Sequence, residues 1–236
     1  MKTLRKPPRV LPSLRLSSGE RREEILKSVR RVFAEHGFHG TTTRELAAAA
    51  GVSEALLFKY FPNKEAIYKA MLASCKRSPT GEAMERILQL TPSTSTLVLL
   101  LHHLFTKVRM DNPEMADTAR LLVRSLGEDG KFGRVLLDNF GSTWIPKIRQ
   151  CLAAAQKRGE LNAPVVLPEL DGWFAHHLLL ALLLVQMPQE PIVNYKVSKS
   201  TLQQHAVLFV LRGMGFREDA IREHYNPEAL ALLAGE

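Results

Sequence analysis

The sequence predicts an all-α protein in which an amino-terminal three-helix domain with a helix-turn-helix is followed by a larger helical body. Three observations carry this prediction. The apolar-polar alternation of strands is nearly absent from the 236 residues, apolar residues recur instead at helical spacing, and residues 41–65 have the caps and glycine turn of two short helices. We divide the chain into a basic arm over 1–18, a helix-turn-helix domain over 19–66 and a helical domain over 67–236.

The first 16 residues are basic and unsuited to a helix. They contain three prolines and no acidic residue. Two interpretations stay open: an arm that follows a phosphate backbone or enters a minor groove, or a solvated tail. No apolar core of a secretory signal follows the charges. The basic residues are Lys2, Arg5, Lys6, Arg9 and Arg15.

A long first helix is predicted from Gly19 to His36, with Gly37 at its end. Apolar residues recur along one face of this segment at spacings of three and four. They are Ile25, Leu26, Val29, Val32 and Phe33.

A short second helix is predicted to follow. Thr42 and Glu45 have the spacing of a capping box, so the helix is expected to begin near Thr43 and to run to Ala50. Gly51 then suits the left-handed geometry that ends a helix.

The third helix is predicted over Glu54 to Tyr60, with Ser53 as its cap. Asn63 is expected to cap a fourth helix, whose first turn carries Lys64 near the free amides where a phosphate binds. The shared core of this region is predicted to be Leu46, Val52, Leu57 and Phe61. The residues left facing outward, toward a major groove, are Glu54, Ala55, Leu56, Phe58 and Lys59.

The net positive charge of the chain lies entirely in its first third. The net charge is +8, and residues 1–76 hold 15 Lys and Arg against 7 Asp and Glu, whereas the remainder holds 17 of each. A basic protein that does not bind nucleic acid would spread this excess. The asymmetry therefore favours phosphate neutralisation by the amino-terminal domain.

The apolar pattern of the remaining sequence predicts further helices over about residues 64–90, 95–110, 113–126, 129–158, 167–187 and 198–214. It also predicts short helices near 217–224 and 227–234. The helix over 167–187 is apolar on nearly all sides, but its apolar run is too short for a membrane span, so no membrane contact is predicted. Such a helix has to be covered. We expect it to form a homodimer interface with the helix near 198–214; the alternative is that both lie in a monomer core. The second apolar stripe consists of Leu202, His205, Ala206, Phe209 and Val210.

A small-molecule site is expected among the middle helices, although an aromatic stripe is more often a feature of an ordinary core. The candidate pocket residues are His102, Phe105, Phe140, Trp144, Trp173 and His177. Neighbouring histidines on a helix point about 100° apart, so neither His102–His103 nor His176–His177 can chelate one metal ion. We predict no metal and no cofactor. Cys75 and Cys151 lack a C-x-x-C spacing and suit a reduced cytoplasm.

The run from about residue 20 to residue 72 resembles the TetR family of bacterial transcriptional regulators. The matching segments are residues 33–38, 42–43, 46–47, 50–53, 57–61 and 63–65. The resemblance implies an all-helical fold in which the carboxy-terminal domain binds a small-molecule effector and dimerises. It also implies a transcriptional regulator, a repressor released from a palindromic double-stranded DNA operator by that effector.

Roles for single residues follow from the same resemblance. Thr43 stands where the family binds a phosphate at a helix start, Arg44 stands where it contacts a base or phosphate, and Tyr60 and Lys64 stand where it binds phosphates. Base contacts are implied for Glu54, Ala55 and Leu56. For Glu54 two alternatives stay open: its carboxylate accepts a hydrogen bond from a cytosine amino group, or it is a solvated residue at the helix cap. Phe58 stands where many members of the family have a tyrosine, so a hydrogen bond to a phosphate is lost there. Phe58 can instead contact a thymine methyl group or pack against a sugar.

Two other classes of protein are the alternatives. An enzyme is not predicted, because the chain has no glycine-rich phosphate loop, no G-x-S-x-G elbow and no H-E-x-x-H motif. An architectural DNA-binding protein without a ligand would bind through phosphates with little sequence preference. Protection of a palindromic DNA site by a dimer in a footprinting experiment would distinguish a regulator from an architectural protein.

Overall fold

The structure is a computed structural model that describes residues 17–75, 79–107, 113–128, 130–188 and 190–233. The described residues form twelve α-helices. The predicted all-α class is confirmed. In the described residues, backbone pairing of the β type is limited to one isolated bridge between Leu161 and Phe216. Residues 1–16 of the predicted arm lie outside this range. The helices are α1 (Ser18–Gly40), α2 (Thr43–Ala49), α3 (Glu54–Tyr60), α4 (Lys64–Cys75), α5 (Pro79–Gln89), α6 (Thr94–Lys107), α7 (Pro113–Gly127), α8 (Lys131–Lys157), α9 (Pro168–Gln186), α10 (Lys199–Gly213), α11 (Glu218–His224) and α12 (Pro227–Leu233).

Two predicted helix boundaries differ from the structure. The first helix does not end at Gly37: helical hydrogen bonding resumes as far as Gly40 after a kink where Gly37 has φ 71° and ψ 177°. The single helix predicted over 64–90 is two helices, α4 and α5, with residues 76–78 outside the described range. Pro79 stands at the start of α5, where a missing amide hydrogen costs nothing.

The amino-terminal domain has its own hydrophobic core, which the body completes. The predicted shared core is confirmed for Leu46, Leu57 and Phe61, which are buried, and half-buried Val52 packs against them. From the body, α7 contributes Leu121 and Leu122 to this core and α8 contributes Phe132. The domain therefore shares buried apolar surface with α7 and α8. The domain boundary at residue 66 stays a prediction.

The larger core lies in the body. It joins buried residues of α5, α6, α8, α9 and α10, and α11 and α12 close one end. Beside that end, the Leu161–Phe216 bridge ties the chain before α9 to the chain after α10, and the amide of Asn162 donates to the carbonyl of Gly215 over 2.8 Å. Helices α9 and α10 therefore run antiparallel. No described helix is long and apolar enough to cross a lipid bilayer.

Candidate nucleic-acid interface

The capping box predicted for α2 is present. The amide of Glu45 donates to the Thr42 hydroxyl over 3.2 Å, and the amide of Thr42 donates to the Glu45 carboxylate over 2.8 Å. The hydrogen bonds that this carboxylate accepts from the amide and the hydroxyl of Thr42 hold the pKa of Glu45 below its usual range. Gly51, at φ 63°, then turns the chain toward α3. Because the bonds are local, the start of α2 follows from the sequence alone.

Helix α3 begins at its predicted cap and presents one face to solvent. The Ser53 hydroxyl accepts from the amide of Leu56 over 3.1 Å. Leu57 is fully buried beneath the helix, while Phe58 is 43% exposed. Each of the nine residues predicted to contact DNA retains surface exposure: Arg44, Glu54, Ala55, Phe58 and Lys59 are exposed, and Thr43, Leu56, Tyr60 and Lys64 are half-buried.

A hydrogen bond links the starts of the two motif helices. The Thr43 hydroxyl donates to the Glu54 carboxylate over 2.8 Å. Thr43, expected to bind a phosphate, thus directs its hydroxyl hydrogen to a carboxylate, and Glu54 bridges α2 and α3. A phosphate that takes this donor has to displace Glu54, which adds like-charge repulsion to the exchange.

Lys64 is held by the protein itself. Its Nζ atom donates to the carbonyl oxygens of Phe38 over 2.8 Å and of Thr41 over 3.0 Å, and lies 4.5 Å from the centre of the Phe38 ring. The ammonium therefore closes the carbonyl end of α1 against the start of α4. An ammonium has three donors, so one N–H remains for the predicted phosphate contact.

Lys64→Met is expected to destabilise the protein by about 1.5–3 kcal/mol, because methionine keeps the apolar stem but loses two hydrogen bonds from a charged group. Urea unfolding measures the loss. Lys69→Met is the matched control, since Lys69 is an exposed lysine of the same helix. Equal losses in the two variants would show that the carbonyl contacts of Lys64 contribute nothing specific.

Four of the six predicted pocket residues lie together between α8 and α9. The ring centre of Phe140 is 5.1 Å from that of Trp144 and 5.3 Å from that of Trp173, and the Trp173 ring stacks on His177 at 5.8 Å. We call these four and His176 the aromatic cluster. An added Cβ at Gly141 would lie 3.1 Å from a ring carbon of Trp173, so the indole rests directly on the α8 backbone.

His176 joins the aromatic cluster, although it was not among the candidates. Its ring centre is 4.3 Å from that of Phe140, and its buried Nδ1 atom has no hydrogen-bond partner in the part of the chain that the structure describes. Burial, and then the neighbouring His177, lower the pKa of His176 to about 4, so the ring is neutral at neutral pH. The signal in the sequence was its position three residues after Trp173, on one helix face.

The other two candidate pocket residues, His102 and Phe105, do not belong to the aromatic cluster. His102 is buried on α6, with its ring centre 6.5 Å from that of Tyr225. Phe105 is 2% exposed and belongs to the body core. Among the described residues, no group of three or more His, Cys, Asp or Glu side chains is placed to hold a metal ion.

The apolar stripe of α10 divides between two surroundings. Ala206 and Val210 face the chain's own core, whereas Phe209 is 69% exposed. On α9, Phe174 is 63% exposed. Large exposed apolar side chains on two neighbouring helices are typical of a surface that another protein molecule covers.

The amino-terminal domain meets the body mainly where α1 packs on α7. A guanidinium N–H of Arg124 donates to the carbonyl of Glu35, and its Nε is 3.1 Å from the carboxylate of Glu128. A cleft of about 540 Å³ lies in this junction, lined by residues of α1 together with Ala49 and Asp117. Beside the shared apolar core, Arg124 thus adds a polar contact from α7 to the backbone of α1 just before the kink at Gly37.

The chain is similar to known bacterial regulators in sequence and in structure. Residues 25–71 match the model described as bacterial regulatory proteins of the tetR family. The repressor AcnR of Corynebacterium efficiens is 46% identical over 50 residues, which are 21% of this chain and 27% of AcnR. The uncharacterised regulator YvkB of Bacillus subtilis is 25% identical over 187 residues, or 75% of this chain and 93% of YvkB. AibR, in a crystal structure with isovaleryl coenzyme A and operator DNA, has a TM-score of 0.61 at 17% identity, over 80% of this chain and 97% of AibR. The likeness to AcnR thus covers 21% of this chain, and the likeness to AibR is one of fold.

Proposed function

Because this chain belongs to the TetR family of bacterial regulators, we propose that it is a sequence-specific DNA-binding transcriptional regulator, a repressor that a small molecule releases from a palindromic operator. The observation that carries this proposal is the exposed face of α3, held by Ser53 and Leu57 beside α2. The relatives that match are transcriptional regulators, and we propose the same class rather than an enzyme.

The proposed docking inserts α3 into a major groove. Ala55 and Leu56, near the start of α3, contact base edges, and Phe58 contacts a thymine methyl group or sugar. Phosphate contacts come from Thr43, Tyr60 and the free donor of Lys64. The remaining candidates are Arg44, Glu54 and Lys59. The excess of positive charge in residues 1–76 supports this orientation, since neutralised phosphates supply much of the affinity.

Selection of bound sequences from a random DNA pool tests the function. We expect an enriched palindrome whose half-sites lie about 34–36 Å apart, one helical turn, or a multiple of it. No enriched sequence, together with binding that depends only on salt, would identify an architectural protein instead.

Leu56→Ala is expected to change base preference at one position of each half-site, by about 1–3 kcal/mol of discrimination, more than it changes overall affinity. The same selection measures the change. Val123→Ala is the matched control, because Val123 is an exposed aliphatic residue of α7, far in the chain from α3. An unchanged selected sequence would remove Leu56 from the base contacts.

The proposed repressor is a homodimer through α9 and α10, because a palindromic site requires two DNA-binding domains related by a two-fold axis. The exposed Phe174 and Phe209 support this interface. Each copy then places one α3 in one half-site.

The proposed effector site is the aromatic cluster, for which the supported ligand class is an uncharged, planar aromatic molecule. Aromatic rings offer stacking surfaces, and the neutral His176 offers a hydrogen bond that is unused among the described residues. Helix α8 connects this cluster with the amino-terminal domain. It carries Phe140 in the cluster and, two turns earlier, Phe132, whose ring centre is 6.1 Å from that of Tyr68 on α4. A ligand that spreads α8 from α9 therefore moves Phe132 in the core of the DNA-binding domain.

Trp173→Leu is expected to weaken aromatic ligands at least tenfold, because it removes the largest stacking surface, worth about 0.5–1.5 kcal/mol beyond its buried area. Titration with indole and with 2-naphthol, followed by release of selected DNA in a gel shift, measures the effect. DNA binding without ligand stays at the wild-type level. Equal release in wild type and variant would exclude the aromatic cluster as the effector site.

A further inference from the structure

Three polar side chains from distant parts of the chain form a line of hydrogen bonds at the end of the body that α11 closes. Ser95 lies in the first turn of α6, Glu160 lies just after α8, and His224 is the last residue of α11. The Ser95 hydroxyl is 3.0 Å from Nδ1 of His224, and Nε2 of His224 is 3.3 Å from the carboxylate of Glu160. The partners are 129 and 64 residues apart, so no local pattern predicts them. We call these three residues the triad.

Glu160 is fixed through both its backbone and its side chain. Its carbonyl accepts from the amide of Arg217 over 3.0 Å, at the start of α11. Its buried carboxylate also accepts from the hydroxyl of Thr94 and, over 2.6 Å, from Nε of Arg158. The carboxylate therefore cannot turn away from His224 without leaving buried hydrogen bonds unmade, which is costly.

The charge of Glu160 decides which nitrogen of His224 carries a hydrogen atom. Burial raises the pKa of this carboxyl group, but the hydrogen bonds that it accepts outweigh burial and hold the pKa of Glu160 below its usual range. An ionised carboxylate can only accept, so Nε2 of the neutral His224 ring donates to it and Nδ1 keeps its lone pair. The hydroxyl of Ser95 then donates to Nδ1, which places a base directly on this hydroxyl.

Ser95 is exposed and has a hydrogen-bond donor beside its hydroxyl. The hydroxyl of Ser93 accepts from the amide of Thr96 over 3.1 Å, and the carbonyl of Ser93 accepts from the amide of Leu97 over 3.0 Å. The amide of Ser95 comes before these two and belongs to the amides that have no acceptor within the helix. At the positive end of the α6 dipole, this amide can stabilise an oxyanion that forms next to the Ser95 oxygen.

We propose that Ser95 is an activated nucleophile, a site at which this chain takes up an acyl group from small carboxylic esters. A nucleophile, a base and a group that orients the base stand within hydrogen-bond distance in this order, which is the arrangement that nucleophilic catalysis requires. His224 is the base, and Glu160 is a positioning residue that acts through it. None of the three belongs to α3 or to the aromatic cluster, so the inference goes beyond the proposed function and does not depend on it.

The transfer is a simple exchange of one ester for another. The oxygen of Ser95 forms a bond to the ester carbonyl carbon, and its proton passes to Nδ1 of His224. The bond from that carbon to the alkoxide breaks, and the alkoxide takes the proton from His224 and leaves as an alcohol. The acyl group stays on Ser95 as an ester.

Two probes of the full-length protein test the site. With p-nitrophenyl acetate, we expect a burst of one p-nitrophenolate per chain. With a fluorophosphonate, the Ser95 oxygen bonds to phosphorus, the proton goes to His224 and fluoride leaves, so the label is permanent and peptide mass spectrometry locates it. We expect the label on Ser95 in the folded protein and its loss in urea or in Ser95→Ala. Ser142→Ala is the matched control, because Ser142 is an exposed serine of α8, and it is expected to label as wild type does.

His224→Gln separates the chemistry from the structural contacts. A glutamine amide can donate to Glu160 and accept from Ser95, but it cannot take a proton. We expect labelling to slow by about 100-fold, since a positioned general base contributes about 10²–10⁴-fold, while the Tm stays close to that of wild type. Glu160→Gln is expected to slow labelling in the wild-type background and to have no further effect in the His224→Gln background, a difference that lost stability alone would not produce.

Three outcomes would overturn the proposal: a folded wild type that takes up no label, a label on residues other than Ser95, or equal labelling rates in His224→Gln and wild type. Equal slowing by Glu160→Gln in both backgrounds would overturn the positioning role of Glu160. A gel shift on selected DNA measures the proposed regulatory function separately, so the failure of one inference is distinguished from the failure of the other.

Discussion

Phe209→Asp is expected to convert the protein to monomers and to weaken its binding to a palindromic operator by about 100-fold or more. Phe209 lies on α10 with 69% of its surface exposed in the single chain. Covering a phenylalanine side chain contributes about 1.5–3 kcal/mol, and the two-fold axis counts that loss twice. A carboxylate in the same place also loses its hydration in the interface, so the change in the dimer dissociation constant exceeds that of a simple truncation.

The loss of operator affinity follows from the loss of linkage between two DNA-binding domains. In a dimer, the second half-site is bound by a domain already held nearby, which raises avidity by about 10²–10⁴-fold. A monomer keeps its α3 but binds one half-site at a time. Sedimentation measures the assembly state, and a gel shift on a full and on a half operator measures affinity; the half-operator affinity is expected to stay within a few-fold of wild type.

Leu126→Asp is the matched control for Phe209→Asp. Leu126 is 53% exposed, and it lies on α7 rather than on α9 or α10. We expect this variant to remain dimeric and to bind the full operator as wild type does. A Phe209→Asp protein that sediments as a dimer would contradict an interface through this face of α10.

Gly37→Ala is expected to destabilise the protein by at least about 1–3 kcal/mol, the cost of a non-glycine residue in a backbone region that is essentially reserved for glycine. At Gly37 φ is 71° and ψ is 177°. Space is short as well, because an added Cβ would lie 2.8 Å from Nε of Arg124 and 2.9 Å from Oε1 of Glu128. Arg124 then has to move, and its hydrogen bond to the carbonyl of Glu35, which ties α1 to α7, is lost.

Thermal unfolding measures this effect, since each kcal/mol lowers the Tm of a chain of this size by about 2–4 °C. Gly19→Ala is the matched control: Gly19 lies in the same helix, and nothing is within 4 Å of an added Cβ. Alanine is the better helix former, so that variant is expected to be neutral or slightly more stable. Equal Tm values for Gly37→Ala and wild type would refute the strain at the kink.

The resemblance of residues 20–72 located the DNA-binding domain because the signals there are local. A capping box spans four residues, a glycine turn spans one, and the periodic apolar face of α1 lies within one helix, so each follows from neighbours in the chain. The apolar character of the α9 and α10 segments was visible for the same reason. Pro79 was missed as a break, and one predicted helix became two.

What the sequence determined by itself is the class of fold, the helix-turn-helix with its caps and its outward residues, and the excess of charge on that domain. The tertiary structure alone decided which distant residues meet. It placed the Lys64 ammonium on the carbonyls of Phe38 and Thr41, 26 and 23 residues away. It gathered His176 with Phe140 and Trp173, and it left Phe174 and Phe209 exposed on α9 and α10. The physical reason is that helix propensity and capping act within about one turn, whereas these contacts depend on how helices far apart in the chain pack and cover one another.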